Sequence, residues 1–272
     1  MCIVFLAYQT LPHLPLVLAA NRDEFFDRPT MPLHFWPDYP TLLAGKDMQA
    51  GGTWLGITRC GRVAVVTNYR DVKEPKPQAP SRGSLLTDFL LNPDLDTSSF
   101  ATYLNEQGHS YNGFNLIFGN VNNLYYYSNV EGQCTELKPG VYGLSNHLLD
   151  TPWPKVTLGK ELLAELPTNP DQWSNEVLFK LLTNDRIPPD HLLPQTGVGM
   201  AYERMLGGIF VSSDTYGTRS SSVIKVDCHG EVHAEERSWL DGPNRFESKD
   251  HRFFLDSDVV LDASSSQSPQ VG

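Results

Sequence analysis

The chain has 272 residues, of which 40% are hydrophobic, and its 21 Lys and Arg against 32 Asp and Glu leave a formal charge of −11. This is globular composition, which excludes wholesale disorder and fibrous classes, and the surplus negative charge opposes docking to nucleic-acid phosphate or anionic lipid. No apolar run approaches the ~20 residues that a spanning helix needs. In chain order, Met1–Tyr8 is apolar but lacks a basic flank, and Gln9, Thr10 and Pro12 arrive too soon for a secretory signal. Ile3–Tyr8 and Leu16–Ala20 therefore read as two strands separated by Pro12 and Pro15. Gly51–Ile57 and Arg62–Thr67 form a predicted hairpin over Cys60-Gly61, and the proline-rich stretch from Tyr69 to Pro80 suits an exposed loop. Ser81 is an N-cap candidate for a helix over 82–91, because its hydroxyl can accept from a first-turn amide.

A second helix is expected over 98–107, followed by strands at 113–118, 124–128 and 141–144. Helical spacing returns from Pro154 to Leu166 and from Trp173 to Thr183, and strands are expected again at 208–212, 221–226 and 232–236. The two strand groups do not alternate regularly with helices, so a doubly wound parallel sheet is excluded in favour of an α+β arrangement of two mainly antiparallel sheets covered by helices. One domain over 1–262 is the economical reading, with 263–272 a polar tail lacking fixed structure. The four cysteines Cys2, Cys60, Cys134 and Cys228 are scattered with no C-x-x-C, which offers no disulfide framework or paired-cysteine zinc site and makes a reducing cytoplasm the expected location. His229-Gly230-Glu231-Val232-His233 misplaces the glutamate of a zincin motif and has Gly230 at a turn, so no metal site is expected there. Neither a G-x-G-x-x-G nor a Walker loop is present.

Cys2 directly follows the initiator Met1. Removal of Met1 would give Cys2 a free α-amine, which titrates near ~7.7–8.0 and can take the proton of its own thiol. The competing reading is a small apolar residue at a strand start. Asn21-Arg22-Asp23-Glu24 ends the second strand with four polar groups in succession, at either the Cys2 end or the opposite end of the hairpin. Arg22 and Asp23 are adjacent, and neighbours on a strand face opposite sides, so both reach Cys2 only if the strand bends or bulges there.

The segments M-C-I at the start, A-A-N-R-D-E (19–24), G-G-T-W-L-G-I (51–57), T-N-Y (67–69), R-G-S-L (82–85), Y-N-G-F-N-L-I (111–117), P-G-V-Y-G-L-S-N (139–146), D-T-P-W-P-K (150–155) and Y-G-T-R-S-S (216–221) resemble the NRDE family, in order along the chain to about residue 237. The resemblance implies an N-terminal-nucleophile hydrolase-like fold, a four-layer αββα sandwich. More distantly it is similar to the choloylglycine and penicillin V amidases. That similarity implies catalytic roles for Cys2 as nucleophile, Arg22 and Asp23 as orienting groups, Asn146 as oxyanion donor and Arg219 as a second arginine.

Ligand contacts are expected from Asn21, Glu24, Trp54, Asn68, Asn115 and His147. Two functions follow from the resemblance. One is an intracellular carrier of a small molecule, either haem or an acyl lipid or acyl-CoA, with haem as transported ligand rather than required cofactor. The other is an N-terminal-cysteine amidohydrolase or acyltransferase acting on linear amides. Arg22 and Arg219 are candidates to pair with propionates or phosphates. Nothing in the sequence fixes an oligomeric state.

Overall fold

The unbroken apolar run after Cys2 has a simple cause: the first strand is covered on both faces. The computed structural model describes residues 2–70, 76–167, 169, 172–240, 242–257 and 259, so Met1 and the expected 263–272 tail lie outside the described residues. In β1 (Cys2–Leu11), Val4, Leu6 and Tyr8 enter one buried cluster while Ile3, Phe5 and Ala7 enter another. The period of two thus operates, but with no solvent face to reveal it.

β1 forms a hairpin with β2 (Leu14–Phe25), in which Cys2 pairs with Arg22 and Val4 with Ala20. The N-R-D-E cluster therefore lies at the Cys2 end. A six-stranded sheet runs in the order β10 (Gly140–Leu144), β1, β2, β11 (Tyr216–Val226), β12 (Glu231–Trp239), β13 (Phe246–Phe254). A seven-stranded sheet follows chain order through β3 (Thr30–Trp36), β4 (Tyr39–Asp47), β5 (Leu55–Thr58), β6 (Arg62–Asn68), β7 (Phe114–Asn120), β8 (Asn123–Ser128) and β9 (Gln133–Glu136). The pairings are antiparallel in both sheets.

Leu18, Ile57, Val65, Ile117 and Ile224 fill the space between the sheets. Helices α3 (Pro154–Ala164) and α4 (Asn175–Leu182) cover the six-stranded sheet, packing Val156, Leu163, Leu178 and Phe179 against Phe5, Val17 and Val223. Helices α1 (Arg82–Leu91) and α2 (Thr97–Gln107) cover the seven-stranded sheet, packing Leu86, Phe89, Phe100 and Leu104 against Leu42, Leu116 and Phe118. The result is the four-layer αββα order that the resemblance implies. The Ser81 hydroxyl accepts from the Gly83 amide, so α1 begins where its cap was expected. Among the described residues no helix is long and apolar enough to cross a membrane.

The strand expected at 208–212 is not a strand. Ile209, Phe210 and Val211 are buried as irregular chain, with the Phe210 amide donating to the Asn184 carbonyl and the Val211 amide to the Thr218 hydroxyl. A short apolar run records burial, and here side-chain and loop partners satisfy its backbone instead of a ladder. The sequence reading also missed β3, β4, β9 and β13, and the short helix α5 (Met200–Met205) beside the site described next.

Candidate functional site

Cys2, Arg22 and Asp23 open onto one cavity of 740 Å³ between the strand ends, the start of α1 and the chain around α5. Arg22 continues the set Leu16, Leu18, Ala20 that faces the second sheet, whereas Asp23 continues Val17 and Ala19 toward the helices. The two side chains therefore diverge, as adjacency requires. The irregularity that the sequence called for is instead on β11, between Thr218 and Ser220 opposite this point, leaving Arg219 as the extra residue.

The Arg22 guanidinium lies 4.2 Å over the Trp54 ring and donates to the Thr30 hydroxyl at 3.0 Å, with Asp47 at 3.6 Å. Trp54 can lie there because Gly45 has no side chain: a Cβ on Gly45 would meet the indole at 2.3 Å. On the helix side, the Asp23 carboxylate accepts from the Thr218 hydroxyl at 2.7 Å, and the Tyr216 hydroxyl donates to the Asp23 carbonyl at 3.0 Å. Burial pushes the Asp23 carboxyl up, while Lys155 and the Thr218 hydrogen bond act against that rise. Burial also pushes the Cys2 thiol up, with a backbone hydrogen bond from Asp23 and the charge of Arg22 pulling the other way. A thiol in that state needs a base before it can act as a nucleophile.

Trp54, Asn68 and Glu24 line the cavity as well. Asn146 is fully buried and outside the lining, and its Nδ2 donates to the Asn68 carbonyl and side-chain oxygens, each at 3.1 Å. Because the Asn68 Oδ1 is held in this way, the group Asn68 has left to offer the cavity is its NH2. Asn146 thus holds Asn68, and of the two amides it is Asn68 that lines the cavity. Arg219 stands outside the lining and donates to the carbonyls of Phe25 and Arg28 at 2.7 and 2.9 Å, bracing the turn after β2.

Three expected ligand contacts are also outside the lining: Asn21 and Asn115 have their side-chain amides engaged in the core, and half-buried His147 is held by a neighbouring hydroxyl and two rings. Asn21 donates to the Leu182 and Ile209 carbonyls and accepts from Ser221. Asn115 donates to Thr67 and the His147 carbonyl and accepts from Tyr126. His147 has Nδ1 2.9 Å from the Thr151 hydroxyl and its ring against Tyr69 and Trp153.

Two cations escaped the sequence reading, although both lie inside motifs quoted for the resemblance. Arg82, the first residue of α1, lines the cavity. Lys155, in the second position of α3, is 5% exposed, and its Nζ donates to the Leu206 carbonyl at 3.0 Å. The only available signal for Lys155 was a lysine adjoining the apolar stripe of its helix. Burial pulls its ammonium down to about 8, opposed by Asp23 and by the more distant charges of Cys2 and Glu203, with Arg70 adding to the fall. Between about 8 and the ordinary 10.5 the unfolded chain holds a proton that the folded chain has released, so folding stability rises with pH across that window. Urea unfolding of wild type and Lys155→Met is expected to show a stability difference that shifts in favour of wild type from about pH 8 to about pH 10. A pH-independent difference contradicts this. The Cys2 thiol, pushed up by burial, contributes with the opposite sign but is present in both proteins.

Residues 1–241 match the family described as Transport and Golgi organisation 2. The Mus musculus "Transport and Golgi organization 2 homolog" is 36% identical over 278 residues, covering 94% of this chain and all of that protein. The Homo sapiens "Transport and Golgi organization protein 2 homolog" is 37% identical over 279 residues, with the same coverage of 94% and 100%. Among solved structures, a mutant conjugated bile acid hydrolase from Clostridium perfringens is similar at a TM-score of 0.43 and 9% identity, covering 96% of this chain and 98% of that one.

Proposed function

The chain belongs to the Transport and Golgi organisation 2 family, and from that premise and the Cys2 cavity we propose that it is an N-terminal-cysteine acyl-transfer enzyme acting on amides. The observation that carries the proposal is that Cys2 and the Asn68 amide line the same cavity. After removal of Met1, the α-amine of Cys2 takes the thiol proton as the sulfur attacks the substrate carbonyl. Negative charge gathers on the carbonyl oxygen, and the Asn68 NH2 donates to it. The C–N bond then breaks, the amine leaves with the proton held by the α-amine, and the acyl group remains on sulfur as a thioester. Water, deprotonated by the same amine, releases the acid and regenerates the thiol. Asp23, fixed by Thr218, supplies negative charge on the helix side of the nucleophile. The four cysteines are free, which suits the reducing cytoplasm in which we place the reaction.

The test is a panel of linear acyl-amides assayed with wild type and Cys2→Ala. Turnover that saturates with substrate and vanishes in Cys2→Ala is expected; equal rates in the two proteins overturn the proposal.

A second reading, carriage of haem or an acyl lipid, is favoured by the size of the cavity, which falls in the ~300–1,000 Å³ range of small-molecule sites. Phe25 and Tyr202 at its wall are 54% and 59% exposed and offer apolar surface to such a cargo. For haem the fit is partial: Cys2 and Met205 are the sulfur ligands among the lining residues, and His147 is not among them. Haem titration followed at the Soret band is expected to saturate at micromolar haem for wild type and not for Cys2→Ser, if carriage is the function. Identical titrations remove Cys2 from that role.

A further inference from the structure

The cavity contains three arginines, and their partners differ. Arg22 is neutralised by Asp47 and stacked on Trp54, and Arg28 donates to Asp47 at 2.8 Å with Glu24 at 3.8 Å. Arg82 has, among the described residues, one hydrogen bond, from its Nη1 to the Gly113 carbonyl at 3.1 Å, and no ion pair. Its position is not a matter of a loose side chain. The start of α1 is locked onto the loop before β5 by two glycines in contact: a Cβ on Gly52 would meet the Gly83 carbonyl carbon at 2.5 Å, and one on Gly83 would meet the Thr53 oxygen at 2.9 Å. This contact joins the G-G-T-W and R-G-S-L segments and holds Arg82 in the wall that also contains Cys2.

We propose that Arg82 is the anion-recognition residue of the Cys2 cavity, so that the compound handled there carries a carboxylate or phosphate close to the carbonyl presented to Cys2. A guanidinium with a single neutral partner keeps most of its five donors for a ligand, and carboxylate and phosphate match that fork with two parallel hydrogen bonds. Of the acidic groups in the lining, Glu24 is near enough for its charge to favour the guanidinium but is not ion-paired with it among the described residues, accepting instead from the Phe25 amide with Arg28 at 3.8 Å, and Asp23 accepts from Thr218. The ligand anions expected from sequence at Arg22 and Arg219 are thereby reassigned to a residue that neither carboxylates nor backbone carbonyls have saturated. Burial pulls the Arg82 guanidinium down, and the charges of Cys2 and Glu24 oppose this, in keeping with its place in the same wall as the sulfur. The proposal builds on Cys2 as the reactive group of the cavity, but its test does not depend on amide turnover.

The probes are iodoacetate and iodoacetamide, near-isosteres that differ in charge. Each forms an S–CH2 bond to the Cys2 thiolate as iodide leaves with the C–I electron pair. Rates are read by peptide mass mapping of the full chain, with Cys60, Cys134 and Cys228 in the same sample as internal references. Relative to those references, Cys2 is expected to favour iodoacetate over iodoacetamide by roughly 10- to 100-fold, the range of a charge-assisted hydrogen bond. Arg82→Gln should collapse that ratio, Arg82→Lys should retain part of it, and acetate or inorganic phosphate should each lower it competitively in wild type. The stronger competitor distinguishes a carboxylate from a phosphate ligand. The proposal is overturned if the wild-type ratio equals that of the reference cysteines, or if Arg82→Gln slows both reagents equally, which would make Arg82 a counter-ion of the thiolate. Charge selectivity without turnover of any amide retains the anion subsite and rejects the hydrolase.

Discussion

Asn68→Ala is expected to lower kcat on a good amide substrate about 100- to 1000-fold, the usual cost of losing one oxyanion donor. The expectation follows from the paired amides: Asn146 holds the carbonyl side of Asn68, and the opposite end of that amide belongs to the cavity wall. KM should move little, because the interaction develops with charge in the transition state. Asn146→Ala acts through Asn68, so its loss in kcat should be smaller, and it should carry a stability penalty from the Asn68 oxygens that lose their donor. Equal kinetic losses with unchanged Asn68 orientation would return the donor role to Asn146.

The largest stability effect is expected at the ion pair behind the cavity. Arg70 and Glu203 are 4% and 3% exposed and meet at 2.7 Å, with the guanidinium 4.8 Å over Trp153. Glu203 also accepts from the amide and hydroxyl of Thr196, so one carboxylate ties α5 to Arg70 and to the chain before the helix. Removing Glu203 takes a directly bonded opposite charge from the buried guanidinium, and removing Arg70 takes the bonded cation from a buried carboxylate, so urea unfolding of Glu203→Leu or Arg70→Met is expected to show a loss of about 3–5 kcal/mol. The double variant should recover much of this, because two apolar residues of similar volume leave no charge behind. Additive losses would contradict the account of a paired charge.

The parts of the fold marked by dense apolar runs, helical spacing or a cap residue were legible: the β1–β2 hairpin, the capped α1 and the helices over the first sheet. Others were hidden for identifiable reasons. Pro32 and Pro40 lie inside β3 and β4 and argue against strand. β13 is a charged edge strand, F-E-S-K-D-H-R-F-F, mostly exposed, a pattern that protects an edge but mimics a loop.

At the site, Cys2 and Asp23 could be proposed from position and motif, and adjacency alone predicted that Arg22 and Asp23 would diverge. Which of Asn68 and Asn146 faces the cavity depends on a side-chain hydrogen bond between residues 78 apart, which spacing cannot encode. Lys155 and Arg82 were hidden for a similar reason. A cation in a helix start reads as solvated until tertiary packing buries it.

The most direct test is intact-mass and peptide mapping of the protein after brief exposure to a linear acyl donor, with Cys2→Ala alongside. The account predicts a chain that has lost Met1 and carries one acyl group on Cys2, formed saturably and absent from the variant. A chain that retains Met1, or acylation spread over Cys60, Cys134 and Cys228 with Cys2 unmodified, would contradict it.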